Sequence, residues 1–296
     1  MNPVCGFVSL VGEPNVGKST LLNRLVGEPL AIVSPKPQTT WNTVRGILTA
    51  EAGQIIFVDT PGLHAPQDLC GAHMVASAKR ALHESDLIYW LADCRRGAAA
   101  PPQFDAGLVA SVPSFLVLNK VDLIAKPALL PLIEYFVKLA PFREVVPVSA
   151  KTGTNVDRLL QATWSHLPEG PPLFPADQLS DQPERDLVRE FIREQMYLLT
   201  RQEIPYASAV TIEEYLEGED RRKLLIAATI HVERDSQKGI VVGKGGEMIK
   251  KIGTAARGRI ERFLGRPVFL DLRVKVREKW RRNEASLREF GLGGGR

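Results

Sequence analysis

Residues that could do chemistry fall in five short stretches of this 296-residue chain. The first is Gly12-Glu13-Pro14-Asn15-Val16-Gly17-Lys18-Ser19, of the form G-x-x-x-x-G-K-S, followed by Thr20. Gly12 and Gly17 let the backbone curl so that successive N–H groups face phosphate oxygens, and the start of the following helix adds a partial positive charge. Lys18 would reach the β- and γ-phosphates, and the Ser19 hydroxyl would hold a magnesium ion. A glycine-rich turn without a ligand has no need of Lys-Ser directly after its second glycine.

The second stretch, Lys36-Pro37-Gln38-Thr39-Thr40-Trp41, lies in the irregular segment 28–46. A threonine hydroxyl here, Thr40 in preference to Thr39, could complete the magnesium shell when a γ-phosphate is present. The third is Asp59-Thr60-Pro61-Gly62. Asp59 would contact magnesium through water, and Gly62 can offer its N–H to a γ-phosphate because no side chain blocks approach. The fourth is Asn119-Lys120-Val121-Asp122. The Asp122 carboxylate can accept from the N1–H and 2-amino group of guanine, neither of which adenine offers. Asn119 can bond the N7 side, and the Lys120 stem can cover the base. The fifth is Ser149-Ala150-Lys151, where the Ala150 N–H can reach O6. A carboxylate left unpaired by the wrong base is costly, so guanine should be strongly selected.

Elements must hold these groups together. Val4–Val11, Gln54–Val58, Leu87–Ala92, Phe115–Leu118 and Val145–Val148 are short apolar runs that read as buried strands, with helical patterns between them, for example at 75–84 and 155–166. Leucines at helical spacing follow the glycine loop and stop at Gly27. This alternation predicts an α/β domain with a mostly parallel sheet, helices on both faces, and the motifs on strand ends.

Five of the 17 residues in 167–183 are proline, which predicts a stiff linker over 168–183 between a first domain at 1–167 and a second at 184–296. In the second half the pattern predicts a helix at 184–201, strands at 207–217 and 224–234 joined by a turn at Gly218-Glu219-Asp220, a helix at 247–264, a strand at 268–276 and a basic helix from Arg277 to about Glu289. The run Gly291–Gly295 reads as disordered. The loop Gly243-Lys244-Gly245-Gly246 opens the 247–264 helix, with Ile249 and Ile252 inward and Lys244, Lys250 and Lys251 outward. Small loop residues let a nucleic-acid backbone approach the peptide N–H groups, and the lysines neutralise phosphates.

Charge is sorted along the chain. Residues 1–166 carry 14 Lys/Arg against 13 Asp/Glu, residues 167–237 carry 8 against 15, and residues 238–296 carry 16 against 6. A surplus of ten cations at the C-terminal end suits a polyanion, either nucleic acid or an anionic membrane surface. The cysteines Cys5, Cys70 and Cys94 show no metal spacing or disulfide framework, no apolar run reaches about 18 residues, and no signal peptide is evident. A cytoplasmic protein is the expectation.

The five stretches in this order resemble the translation-factor-related GTPases. Gly12–Asn23, Pro37–Thr40 and Asp59–His64 are similar to the Era branch, and the second half resembles a type II KH domain with its G-x-x-G loop. Trp41 stands where that branch usually has arginine. The resemblance covers essentially the whole chain. It implies binding of GTP, GDP and Mg2+ by Glu13 to Thr20, Asp59 to Gly62, Asn119, Lys120, Asp122 and Ser149 to Lys151. Lys18, Asn15, Thr40 and Gly62 are the candidates to act in hydrolysis. It implies slow intrinsic hydrolysis, because Leu63 replaces the glutamine that orients water in many relatives; His64 is the adjacent polar candidate. Asn15 could coordinate a monovalent cation, and related GTPases with asparagine there imply potassium. The resemblance further implies a monomer acting in small ribosomal subunit (30S) assembly. Its KH domain would hold single-stranded RNA near the 3′ end of small-subunit rRNA, and the family's peripheral membrane association comes with it. A membrane-associated signalling GTPase whose basic end binds anionic lipid is the competing expectation.

Overall fold

The computed structural model describes residues 2–34, 36, 39–62, 66, 68–99, 104–201, 203–218 and 223–292. The chain forms two compact units, one from residues 1–65 and 74–181, the other from 66–73 and 182–296. Leu63, His64, Pro37, Gln38, Glu219, Asp220 and Gly293–Gly295, on which sequence-based expectations fell, lie outside the described residues.

In the first unit, β1 (Val4–Gly12), β2 (Val44–Ala50), β3 (Gly53–Asp59), β4 (Leu87–Asp93), β5 (Ser114–Asn119) and β6 (Glu144–Val148) form one sheet in the order β2-β3-β1-β4-β5-β6. Every pairing is parallel except β2 with β3. The helices are α1 (Lys18–Val26), α2 (Leu69–His83, of which residues 74–83 belong to this unit), α3 (Ala106–Ser111), α4 (Leu129–Val137) and α5 (Val156–Trp164). Adjacent residues on β4 show why both faces are covered. Trp90 packs with Val109, Leu132 and Phe136 of α3 and α4. Tyr89 points the other way and its hydroxyl meets Thr163 of α5. Central parallel strands buried on both faces are therefore apolar without alternation, which is what made them readable. β2 was not expected. It is an edge strand with Gly46 in the middle, too mixed to announce itself. The threonine segment consequently precedes an antiparallel strand and does not follow the C-terminal end of a parallel one.

The proline-rich stretch is no free linker up to Asp181. Its backbone is strapped to the first unit: Cys5 N–H donates to Pro168 O and Gly170 N–H to Pro3 O, both at 3.0 Å. Gln54, fully buried, accepts at Oε1 from the N–H groups of Leu173 and Phe174 at 2.9 Å and donates back to Phe174 O. Ile47 N–H donates to Leu179 O at 2.8 Å, and Arg45 pairs with Asp181 at 2.7 Å. Prolines cannot donate, but the carbonyls and remaining N–H groups of the strap can still satisfy a sheet edge.

The second unit contains α6 (Glu184–Leu199), α7 (Ile204–Ala207), β7 (Ala209–Glu217), β8 (Leu224–Val232), α8 (Asp235–Val242), α9 (Glu247–Leu264), β9 (Val268–Val276) and α10 (Glu284–Glu289). Its sheet runs β7-β8-β9, with β7 antiparallel and β9 parallel to β8. Val188, Ile192 and Met196 of α6 meet Ile252, Ala256 and Ile260 of α9 over Ile226, Ala228 and Ile230 of β8. Each buried Val, Ile or Met here stabilises by about 1.5–3 kcal/mol, enough for the seam to outweigh local propensity. The expected long basic helix is broken. A single 3-10 turn, Trp280–Arg282, precedes α10, because buried Trp280 anchors to Ala207 O at 3.1 Å and Asn283 starts a new helix by accepting from Ser286 N–H. Ile252 is fully buried as expected, but Ile249 is only half-buried.

Candidate nucleotide site and candidate nucleic-acid interface

A cavity of about 460 Å³ opens where β1 meets α1, lined by Asn15, Lys18, Ser19, Thr40, Gly62 and Lys120 among others. The loop curls as the glycines predict. Asn15 and Gly17 have φ of 63° and 104°, and a Cβ on Gly12 would stand 2.5 Å from Leu91 O. A Cβ on Gly62 would press on Pro14 at 3.0 Å, so the two loops touch through glycine. Thr20 lines the cavity, Pro61 is buried, and buried Val16 lends its carbonyl to the base side.

Lys18 is 6% exposed, and its ammonium donates to Gly12 O at 3.1 Å and Glu13 O at 3.0 Å. Burial pulls its pKa down to about 8, against the attraction of Asp59 and Glu13. Three oxygens converge beside it. Ser19 Oγ donates to Asp59 Oδ2 at 2.6 Å, Thr40 Oγ1 donates to the same oxygen at 3.2 Å, and the two hydroxyls are 3.3 Å apart. Thr39 lines the cavity, but it is Thr40 whose hydroxyl bonds Asp59. Burial raises the Asp59 pKa, opposed by Lys18 and the two hydroxyls. Its other oxygen, Oδ1, is buried without a hydrogen-bond partner. Two hydroxyls and a carboxylate with an orphaned oxygen fit a hard, oxygen-seeking cation that keeps waters of its own, as magnesium does. Among the described residues no group of three or more His, Cys, Asp or Glu could hold a metal. Thr60 departs from expectation. Its hydroxyl donates to Leu10 O at 2.7 Å and it is 1% exposed, which makes it a brace between β3 and β1.

On the base side, Asn119 is a staple. Its Nδ2 donates to Val16 O at 2.8 Å, while Oδ1 accepts from the N–H of Lys120 at 2.8 Å and of Ala150 at 3.0 Å. One hydrogen of Nδ2 is left for N7, whereas guanine O6 would have to compete with Asn119 for the Ala150 N–H. Ser149 Oγ accepts from Thr152 N–H, and Arg24 of α1 holds Ala150 O and Lys151 O at 3.3 and 2.6 Å, fixing the Ser149–Lys151 turn. Asp122 is exposed beside Lys120. Arg24 escaped sequence reasoning, as did the turn after β4. There Asp93 accepts from Lys120 and Arg95, and Arg96 pairs with Glu13. A carboxylate ending a buried apolar strand, the signal that exposed Asp59, was equally present at Asp93.

In the second unit, Gly243, Gly245 and Gly246 have φ of 75°, 60° and 83°. A Cβ on Gly243 would meet Met248 at 2.8 Å, while Gly245 and Gly246 face open space. Lys244, Lys250 and Lys251 are exposed. The edge strand β9 shows half-buried Leu270, Leu272, Val274 and Val276 packed against the same core as Met248. A basic, backbone-accessible loop thus shares a face with an apolar edge. Among the described residues no helix is long and apolar enough to cross a membrane.

A phosphate loop, a magnesium-type oxygen triad and a guanine-type base loop on a parallel sheet define a P-loop GTPase, here joined to a KH unit. A family model described as 50S ribosome-binding GTPase matches residues 7–120, and a KH domain model matches residues 203–281. The chain is 49% identical over 288 residues to the GTPase Era of Geobacter metallireducens, covering 97% of each, and 47% identical over 291 residues to that of Syntrophus aciditrophicus, covering 97% and 94%. Crystal structures of Aquifex aeolicus Era bound to GDP·AlF4− and of an Era in complex with MgGDPNP and nucleotides 1506–1542 of 16S ribosomal RNA both superpose with TM-score 0.94 at 41% identity. They cover 98% and 99% of this chain, and all of theirs. The chain belongs to the Era family of GTPases, and it hydrolyses GTP.

Proposed function

We propose that the chain is a GTP-driven switch that grips single-stranded RNA near the 3′ end of small-subunit rRNA and acts in assembly of the 30S subunit. The observation that carries the RNA half is the Gly243–Gly246 loop: open to backbone approach, flanked by exposed lysines, and beside an apolar edge strand where bases can lie. An Era solved with a 16S rRNA fragment supports the choice of RNA.

In the nucleotide half, Lys18 and the loop N–H groups from Glu13 to Thr20 would bind the phosphates. Ser19 and Thr40, with Asp59 acting through water, would hold magnesium, which when bound neutralises charge on the β- and γ-phosphate oxygens. An Era was solved with MgGDPNP. Gly62 would donate its N–H to the γ-phosphate. Asp122 would read the N1–H and 2-amino groups of guanine, with Asn119 on N7 and the Lys120 stem across the base. Asn15, at the cavity wall, would place its side-chain oxygen for a potassium ion that offsets charge developing between the phosphates. Turnover should then be faster in potassium than in sodium at matched ionic strength, and Asn15→Ala should erase the difference. Equal rates in the two salts for the unaltered chain would remove the ion.

The RNA reading is tested by fluorescence anisotropy with one single-stranded 3′-end rRNA oligonucleotide and its scrambled counterpart, with anionic vesicles as competitor. A KH groove prefers the first RNA, and replacing Lys244 and Gly245 with aspartate abolishes that binding while leaving GTP affinity within about twofold, since the nucleotide site belongs to the other compact unit and keeps its own contacts. Equal binding of both RNAs, displaced by vesicles, would favour a basic surface made for anionic lipid.

A further inference from the structure

The turn after β4 grips the nucleotide site from outside its known motifs. Asp93 closes the strand with its side chain 6% exposed. Its Oδ2 accepts from Lys120 Nζ at 2.7 Å and from Arg95 Nη2 at 2.6 Å, and Oδ1 accepts from Arg95 Nε at 3.0 Å and from Arg95 N–H at 3.1 Å. Lys120 Nζ also donates to Asn15 O at 2.5 Å, so its side chain runs from the base loop to the phosphate loop. Arg95 and Lys120 both line the cavity. One carboxylate oxygen therefore holds two cations side by side over the cavity. Without that charge the ammonium and the guanidinium repel, and the long Lys120 chain has only a neutral carbonyl to keep it in place. The carboxyl suits this work: although burial opposes ionisation, hydrogen bonds from Arg95 and Lys120 hold its pKa well below the usual carboxylate range.

We propose that Asp93 is a positioning residue for nucleotide retention. It fixes Lys120 across the base side of the cavity and Arg95 at its mouth, and thereby sets the rate at which guanine nucleotides leave. The groups it orders face the base and the loop rather than the γ-phosphate, so GDP and GTP are affected alike and the chemical step is not. This rests on Asn119–Asp122 being the base loop, which Asp122→Asn tests separately: that exchange should move preference from GTP to xanthosine triphosphate whatever Asp93 does.

The experiment is stopped-flow release of fluorescent GDP and of a fluorescent non-hydrolysable GTP analogue from the full chain, as wild type, Asp93→Asn, Asp93→Glu, Lys120→Ala and the Asp93→Asn/Lys120→Ala double variant. Asparagine still caps the turn at Arg95 N–H but turns an amide toward two cations, so it removes the charge and keeps the cap. Asp93→Asn should speed release of both nucleotides about tenfold, the scale of one charge-assisted hydrogen bond. Single-turnover hydrolysis at saturation should stay within about twofold, and Asp93→Glu should recover most of the retention because it keeps the charge. In the Lys120→Ala background Asp93→Asn should add less than about twofold, since the two residues act through one contact. Unchanged release from Asp93→Asn would overturn the proposal. So would an acceleration that is equally large without Lys120, or one confined to the GTP analogue.

Discussion

Lys18 carries the sharpest conflict at the scale of single residues. It is placed for phosphates, yet its ammonium is buried against two loop carbonyls, and burial lowers its pKa from 10.5 to about 8. The sign follows from proton counts. Between pH about 8 and 10.5 the unfolded chain binds more protons at this site than the folded one, so the Lys18 contribution to stability rises with pH across that window. Below it the folded chain carries a buried charge at a cost on the order of 3 kcal/mol. Lys18→Met should therefore raise the ligand-free thermal midpoint at pH 7, with the gain shrinking by pH 10, while nucleotide affinity collapses. Calorimetry at the two pH values checks this, and a variant less stable than wild type at pH 7 would show that the carbonyl contacts outweigh the burial. Residue placement was legible in the sequence where a motif fixes spacing: the structure brings Ser19, Thr40 and Asp59 within hydrogen-bond reach of one another, with buried Lys18 electrostatically coupled to Asp59. Thr60 and Asn119 were legible only as motif members. That one braces Leu10 and the other ties three loops depends on strand register, which no short motif encodes.

Elements were readable where burial is two-sided. β1, β3, β4 and β5 have mostly apolar interiors without alternation because helices cover both sheet faces, and helix α9 repeats its buried residues every four positions. β2 and the strap that edges it were not, because β2 is a mixed edge strand around Gly46 and the strap is held by hydrogen bonds to Pro3, Cys5, Ile47 and Gln54, which need no apolar pattern. At residues 173 and 174 one side chain is the clasp. Gln54 serves three backbone groups of residues 173 and 174 from a fully buried position. Gln54→Leu should leave those groups unpaired and destabilise the first unit by about 2–4 kcal/mol, at the upper end of single-group losses because several are orphaned together. Urea unfolding would measure it, and limited proteolysis should cut first within 171–175. A loss under about 0.5 kcal/mol would mean that water replaces the glutamine, as at an ordinary surface position. The broken C-terminal helix has the same lesson: a buried tryptophan and an asparagine cap override a basic stretch that reads as continuous.

At the scale of the whole molecule, the chain joins a site that reads guanine nucleotides to a unit whose basic surplus and open glycine loop suit RNA. The sorting of charge pointed to a polyanion without naming it, and the left-handed glycines at 243, 245 and 246, the last two facing open space, leave the loop backbone open to close approach. The central claim is that this surface holds one single-stranded segment of small-subunit rRNA. Crosslinking in cells, with and without a non-hydrolysable GTP analogue, followed by sequencing of the attached RNA, tests it most directly. The account predicts crosslinks concentrated near the 3′ end of small-subunit rRNA, enriched in the presence of the analogue, and lost when Lys244 and Gly245 are replaced by aspartate. Crosslinks scattered over cellular RNA in proportion to abundance, or unchanged by that double replacement, would contradict it.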